Sequence, residues 1–139
     1  MAPMGKPLYT ARHAASGVHA KLPTLECWPN QYPGYEVQIA ISEFTSVCPR
    51  TGLPDFGTVR IRYMPRKWCV ELKSLKLYVN GFRNLGIFQE NAVNRILEDF
   101  VAAVKPAWAV VMGEFNARGG IGTTVEARHP RASLRRKLS

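Results

Sequence analysis

The feature that most constrains this chain is an apolar stripe in its second half. Val93, Ile96, Leu97, Phe100, Val101 and Val104 fall at i, i+3, i+4, i+7, i+8 and i+11, with Asn91, Arg95, Glu98 and Asp99 on the other side. That period over that length is an amphipathic helix, and Pro106 ends it. A helix with one greasy face needs an apolar surface to cover it. Two alternating segments offer one. Tyr35, Val37, Ile39 and Ile41 alternate with Glu36, Gln38 and Ser42, and Val59, Ile61 and Tyr63 alternate with Thr58, Arg60 and Arg62, the period-two signature of half-buried strands.

The remaining segments fill in around these. Phe44 to Phe56, broken by Pro49, Gly52 and Pro54, reads as a long loop, and loops of that length between strands tend to be functional. Leu72, Leu75, Val79 and Phe82 recur at helical intervals, which predicts a helix from Glu71 to near Gly86. Ala107 to Met112 reads as a third strand and Ile121, Thr123 and Val125 as a fourth, turned by Arg118-Gly119-Gly120. The predicted order is strand, strand, helix, helix, strand, strand: an α+β fold with a four-stranded antiparallel sheet and two helices on one face. The edges of such a sheet are open, and joining subunits edge to edge would protect them. Residues 1–34, rich in Pro, Gly, His and Ala, read as an arm; residues 35–128 form the domain; residues 129–139 form a basic tail.

The 139 residues, 46% hydrophobic, suffice for one domain with a modest core. No window approaches ~18 consecutive apolar residues, so a membrane-spanning helix is not expected. Met1 to Pro7 has no apolar run behind a basic start, and the cytoplasm is the expected location. The net charge of +9 invites a nucleic-acid reading, but eight of the 19 basic residues lie in the acid-free segments 1–21 and 127–139. The interval between holds 11 basic and 10 acidic side chains. Solvated ends are therefore preferred to a small RNA-binding protein that uses them as phosphate contacts. Cys27, Cys48 and Cys69 form no C-x-x-C pair, and His13, His19 and His129 lie near the ends, so no metal site is expected.

Several residues could carry chemistry. Cys48 lies in a polar loop, seven residues before Asp55, where a thiol can act as nucleophile with a proton donor at hand. Cys27 and Cys69, each beside a Trp, read as packing. Lys73 and Lys76 form a cationic helix edge, either a solvated face or a phosphate contact, and Arg118-Gly119-Gly120 adds a cation and a backbone that an anion can approach. No G-x-G-x-x-G is present, which removes a Rossmann-type site. Glu90, three residues before Val93, is expected on the buried face of its helix. There it either complements the helix dipole or accepts two hydrogen bonds from a guanine-like edge.

Phe44 to Phe56, Glu71-Leu72-Lys73-Ser74-Leu75-Lys76-Leu77-Tyr78 and Phe115 to Ile121 together closely resemble the NADPH-dependent 7-cyano-7-deazaguanine reductases of queuosine biosynthesis. The E-x-K-S-x-K-x-Y segment is specific, and the resemblance runs from about Tyr35 to Arg128. It implies the tunnelling fold shared with GTP cyclohydrolase I, a homo-oligomer of pentameric rings that stack into decamers. It further implies that Cys48 attacks the nitrile carbon to give a thioimide while Asp55 protonates the nitrogen, with NADPH as hydride donor. By the same resemblance Val70, Glu71, Leu72, Gln89 and Glu90 hold the substrate, and Lys73, Arg118 and Gly119 contact the cofactor. The zinc ligands of the cyclohydrolases have no counterpart. Two departures stand out: Gln89 replaces the usual His before Glu90, and Ala92 stands where some relatives carry a second Cys able to cap the nucleophile. The rival within the fold is an archaeal amidinotransferase, which traps the same nitrile but uses ammonia.

Overall fold

The computed structural model describes residues 9–131, so residues 132–139 of the expected basic tail lie outside the described residues. In chain order the elements are α1 (Ala11–Ala14), β1 (Cys27–Pro29), β2 (Val37–Val47), β3 (Pro54–Met64), β4 (Trp68–Val70), α2 (Leu72–Asn80), α3 (Gln89–Val104), β5 (Trp108–Arg118) and β6 (Ile121–His129). β2, β3, β5 and β6 form a four-stranded sheet in that order, antiparallel throughout. The α+β order read from the sequence is present, with α1, β1 and β4 added to it. β1, inside the expected arm, pairs antiparallel with β4 as a separate ribbon.

Alternation builds the sheet's inner face. Gly57, Val59, Ile61 and Tyr63 are buried along β3 while Phe56, Arg60 and Arg62 are exposed. α3 lays Val93, Ile96, Leu97, Phe100 and Val104 against this face, all essentially without exposure, and the Tyr63 and Phe100 rings meet at 4.8 Å, near-perpendicular. Full burial of each such side chain contributes ~1.5–3 kcal/mol, so this one helix supplies much of what holds the sheet. β5 crosses very near β3 at Gly57, where a Cβ would stand 2.3 Å from the Glu114 carbonyl oxygen. Only glycine allows that approach.

Three expectations are corrected. The loop expected over Phe44–Phe56 is mostly strand: β2 runs on to Val47 and β3 begins at Pro54. A bulge between Ile41 and Phe44 inserts one extra residue, shifting the inward phase from Val37, Ile39 and Ile41 to Phe44 and Ser46, which breaks the period a sequence reader follows. The helix expected to reach Gly86 stops at Asn80, where the Gly81 N–H bonds back to the Leu77 and Tyr78 carbonyls at 3.2 and 3.1 Å. The chain then tightens into turns, with Phe82 still buried. β5, expected over Ala107–Met112, extends from Trp108 to Arg118.

Candidate active site

Cys48 follows the last residue of β2 and opens a tight connection to β3. Its N–H donates to the Leu53 carbonyl and its own carbonyl accepts from the Gly52 N–H, both at 2.9 Å; Gly52 takes a left-handed φ of 74°, which glycine adopts without strain. The thiol is half-buried. Burial pushes its pKa up, but the Thr51 hydroxyl and the Thr51 and Arg50 N–H groups stabilise the thiolate. Although the Asp55 charge also opposes, the net is a thiol below its ordinary range. Turn amides aimed at a sulfur in this way are what a nucleophilic cysteine needs.

Asp55 is the second residue of β3 and continues the inward phase of Gly57, Val59 and Ile61, so a carboxyl sits almost fully buried at the end of the core face. Arg118, the last residue of β5, places Nη1 2.7 Å from Asp55 Oδ1 and 3.1 Å from the Pro54 carbonyl. The resemblance grouped Arg118 with the cofactor and Asp55 with the acid; in the structure the two are bonded to each other.

The α2–α3 connection docks on the same end of the sheet. Val47 donates to the Leu85 carbonyl at 3.0 Å and accepts from the Ile87 N–H at 2.9 Å, and a Cβ on Gly86 would stand 3.6 Å from the Cα of Pro49. This brings Gln89 and Glu90, the first residues of α3, to the neighbourhood of Cys48. Glu90 is not on a buried face, as the sequence suggested. The core covers α3 only from Ala92 onward, and Glu90 is exposed, lining an open cleft with Ala14, Phe88 and Asn91. A carboxylate there can meet a ligand from solution.

Val70, Glu71, Leu72 and Lys73 lie elsewhere. The Val70 N–H donates to the Tyr63 hydroxyl at 3.0 Å, and Tyr63 is near the far end of β3 from Asp55. Eight strand residues at ~3.3 Å put Asp55 and Tyr63 up to ~26 Å apart along β3. The Val70 side chain is buried. Glu71 caps α2, its carboxylate accepting from the Lys73 and Ser74 N–H groups at 2.7 and 2.8 Å. Leu72 is 61% exposed, and Lys73 is exposed with no ion pair among the described residues. Within one copy of the chain, Val70 and Asp55 thus stand toward opposite ends of β3.

The residues present suit a phosphate-bearing dinucleotide. Gly119 and Gly120 both take positive φ, 59° and 83°, and nothing lies within 4 Å of where a Cβ would stand on either, so an anion can reach their backbone beside Arg118. The other cysteines stay apart from this chemistry. Cys69 is buried in β4, and the Cys27 thiol points at the Ala103 carbonyl, 3.5 Å away, its pKa raised by burial and by Cys69. Among the described residues no three His, Cys, Asp or Glu gather as metal ligands, and no helix is long and apolar enough to cross a membrane. Sequence reasoning missed Thr51 and Ser46; the latter is fully buried and directly opposite Asp55 in the β2–β3 register. Its signal was present in the phase break at Ser42-Glu43.

A family model described as QueF-like protein matches residues 54–133. The NADPH-dependent 7-cyano-7-deazaguanine reductase of Elusimicrobium minutum is 52% identical over 122 residues, 87% of this chain and 92% of that one. The enzyme of the same name from Chloroherpeton thalassium is 58% identical over 107 residues, 76% of this chain and 92% of that one. Among solved structures, the archaeosine synthase QueF-Like in its apo form superposes with a TM-score of 0.65 at 26% identity, covering 70% of this chain and 95% of that one. With over half the aligned residues shared along nearly the whole length of those reductases, the chain belongs to the QueF-like protein family.

Proposed function

We propose that this protein is an NADPH-dependent reductase that converts the nitrile of 7-cyano-7-deazaguanine to the aminomethyl group of 7-aminomethyl-7-deazaguanine, in the making of a modified tRNA nucleoside. The observation that carries this reading is a cysteine whose thiolate is favoured by turn hydrogen bonds, one short connection away from a buried carboxyl. The identity to reductases supports the hydride-using reaction over the ammonia-using one, since the archaeosine synthase shares only 26%.

The sulfur of Cys48 adds to the nitrile carbon. The Cys48 thiol passes its proton to the Asp55 carboxylate; as the C–S bond forms, one C–N π pair moves to nitrogen and takes that proton from Asp55, giving a thioimide and the carboxylate again. The chemistry that NADPH supplies when bound is hydride transfer, once to the thioimide carbon and, after the C–S bond breaks to release thiolate and imine, once more to the imine. In sum the nitrile takes up two hydrides and two protons. Glu90, acceptor-only when ionised, suits the adjacent donors of the deazaguanine edge. Gln89 keeps a donor and an acceptor where the family usually has His, so it can position the substrate without titrating near neutral pH. Arg118 and the Gly119-Gly120 backbone hold phosphate from one side and Lys73 from the other.

The separation of Val70 and its neighbours from Asp55 is closed by a second copy of the chain. Exposed apolar side chains stand at both ends, Leu53, Phe56 and Ile121 near the acid and Trp28, Trp68 and Leu72 near the cap. A head-to-tail contact that covers both patches is heterologous and, repeated, closes a ring.

Intact-mass spectrometry after mixing with the nitrile, followed by NADPH oxidation, tests the reading. The parent gains the mass of the nitrile and then consumes NADPH; Cys48→Ala does neither, while Cys27→Ala and Cys69→Ala do both. An adduct persisting in Cys48→Ala would sink the nucleophile assignment, and an adduct with no NADPH consumption would favour the ammonia-using reaction.

A further inference from the structure

Among the described residues, the Ser46 hydroxyl is the buried side-chain polar atom with no hydrogen-bond partner. An orphaned buried hydroxyl destabilises a fold, and native structures hold few of them. This one lies at a telling position. Ser46 is fully buried and directly opposite Asp55 across the β2–β3 ladder. Directly opposed side chains of antiparallel strands share a face with Cβ atoms ~4.5–5.5 Å apart, and a hydroxyl and a carboxyl at that spacing meet through rotation about χ1. Asp55 is held through Oδ1 by Arg118; its Oδ2 has no hydrogen bond among the described residues. A spare donor and a spare acceptor therefore face one another beside the nucleophile.

We propose that Ser46 is a positioning residue for the proton donor, its hydroxyl donating to the second oxygen of Asp55 as that carboxyl gives up its proton. The inference rests on the reductase reading. While Asp55 carries the proton it is about to transfer, it needs little from Ser46. When the O–H bond breaks and the nitrile nitrogen takes the proton, the carboxylate left behind has two oxygens to satisfy. Arg118 serves one and Ser46 the other. A contact that strengthens only as charge develops accelerates the step instead of merely tightening binding, and a buried donor already in place does so without solvent reorganisation. The orphaned hydroxyl is thereby a feature of the resting site that the reaction satisfies.

The test is Ser46→Ala, alone and combined with Asp55→Asn, with adduct formation on Cys48 timed by mass spectrometry in the absence of NADPH. Thermal unfolding and nitrile binding, the latter measured in a Cys48→Ala background, are read alongside. The expected result is a split: adduct formation at least tenfold slower, with melting temperature unchanged or higher and nitrile affinity unchanged. In the Asp55→Asn background the same change has no further effect, because the partner through which Ser46 acts is gone. Ser46→Gly, which removes the hydroxyl and leaves room, behaves like Ser46→Ala. An unchanged adduct rate, an equal slowing with and without Asp55, or a slowing accompanied by lower stability and weaker nitrile binding would each overturn the proposal. A parent protein that forms no adduct would overturn the reductase reading itself, and the proposal with it.

Discussion

At the scale of single residues the site is a contest between burial and hydrogen bonding. The Cys48 thiol is lowered although burial works against it, because Thr51 and two turn amides favour the anion. The sign fixes the consequence: an acid whose pKa is depressed reaches its charged, reactive form at lower pH than a free thiol. Alkylation of Cys48 is expected to have its pH midpoint below that of free cysteine, and Thr51→Val is expected to move it upward. A midpoint indifferent to Thr51 would show that the amides act alone. Cys27, raised by burial and by Cys69, alkylates only at higher pH, so the two thiols separate in one titration. Arg118 is the other residue whose role the geometry changes. Because its guanidinium lies 2.7 Å from Asp55, Arg118→Ala is expected to slow adduct formation several-fold even without cofactor, besides raising KM for NADPH. Arg118→Lys restores charge but not the planar fork and recovers the rate in part. Single-turnover mass spectrometry separates these effects, and an adduct rate untouched by Arg118→Ala would confine Arg118 to the cofactor.

At the scale of elements, α3 and the β2 bulge show what the sequence makes legible. The stripe from Val93 to Val104 is regular because one helix face meets one sheet face, and all of its strictly spaced positions except Val101 are fully buried. Phe100→Ala is expected to cost ~3–5 kcal/mol, read from denaturant unfolding; a cost below ~1 kcal/mol would mean that α3 does not anchor the sheet. The strand half of the fold was legible only as far as its phase held. Val37, Ile39 and Ile41 announce a strand, but the bulge before Phe44 flips the inward face. The following residues then look irregular although they are paired through Val47. Cys48 and Asp55 were legible as residue types within a recognisable segment. Their surroundings were not, because the Arg118 contact and the Ser46 pairing join positions remote in sequence or across strands. Glu90 was misplaced for a related reason: helical spacing says which way a residue faces, not whether anything covers it.

At the scale of the whole molecule, the proposed sharing of a site between copies makes a quantitative prediction. On the proposed reading Lys73 of one copy and Cys48 of the next serve one site, so Lys73→Ala or Cys48→Ala alone leaves every site damaged. Mixed in equal amounts under conditions where subunits exchange, they are expected to regain about one quarter of the parent NADPH oxidation, the fraction of head-to-tail junctions that combine the two intact halves. No recovery on confirmed exchange would mean that Lys73 and Cys48 serve within one copy.

The N-terminal arm links the connection beside Cys48 to the α2 cap. Near Cys48 it is fastened by the Ser16 hydroxyl to the Gly86 carbonyl at 2.7 Å and by Arg95 Nη1 to the Gly17 carbonyl at 2.9 Å. Near the α2 cap, the Glu26 carbonyl accepts from the Glu71 N–H at 2.8 Å. Arg95 also holds Asp99 at 3.0 Å, and Asp99 accepts from Tyr78, whose hydroxyl burial and Asp99 keep protonated well past neutral pH. Between these fastenings the arm folds a turn, the Ala20 N–H donating to the Gly17 carbonyl at 3.3 Å, and lays Leu22 and Pro23 beside Gly81. The arm is thus a strap laid along α2, tied down at Glu71 before that helix and at Gly86 after it, so it couples the placement of the helix to that of the connection beside Cys48.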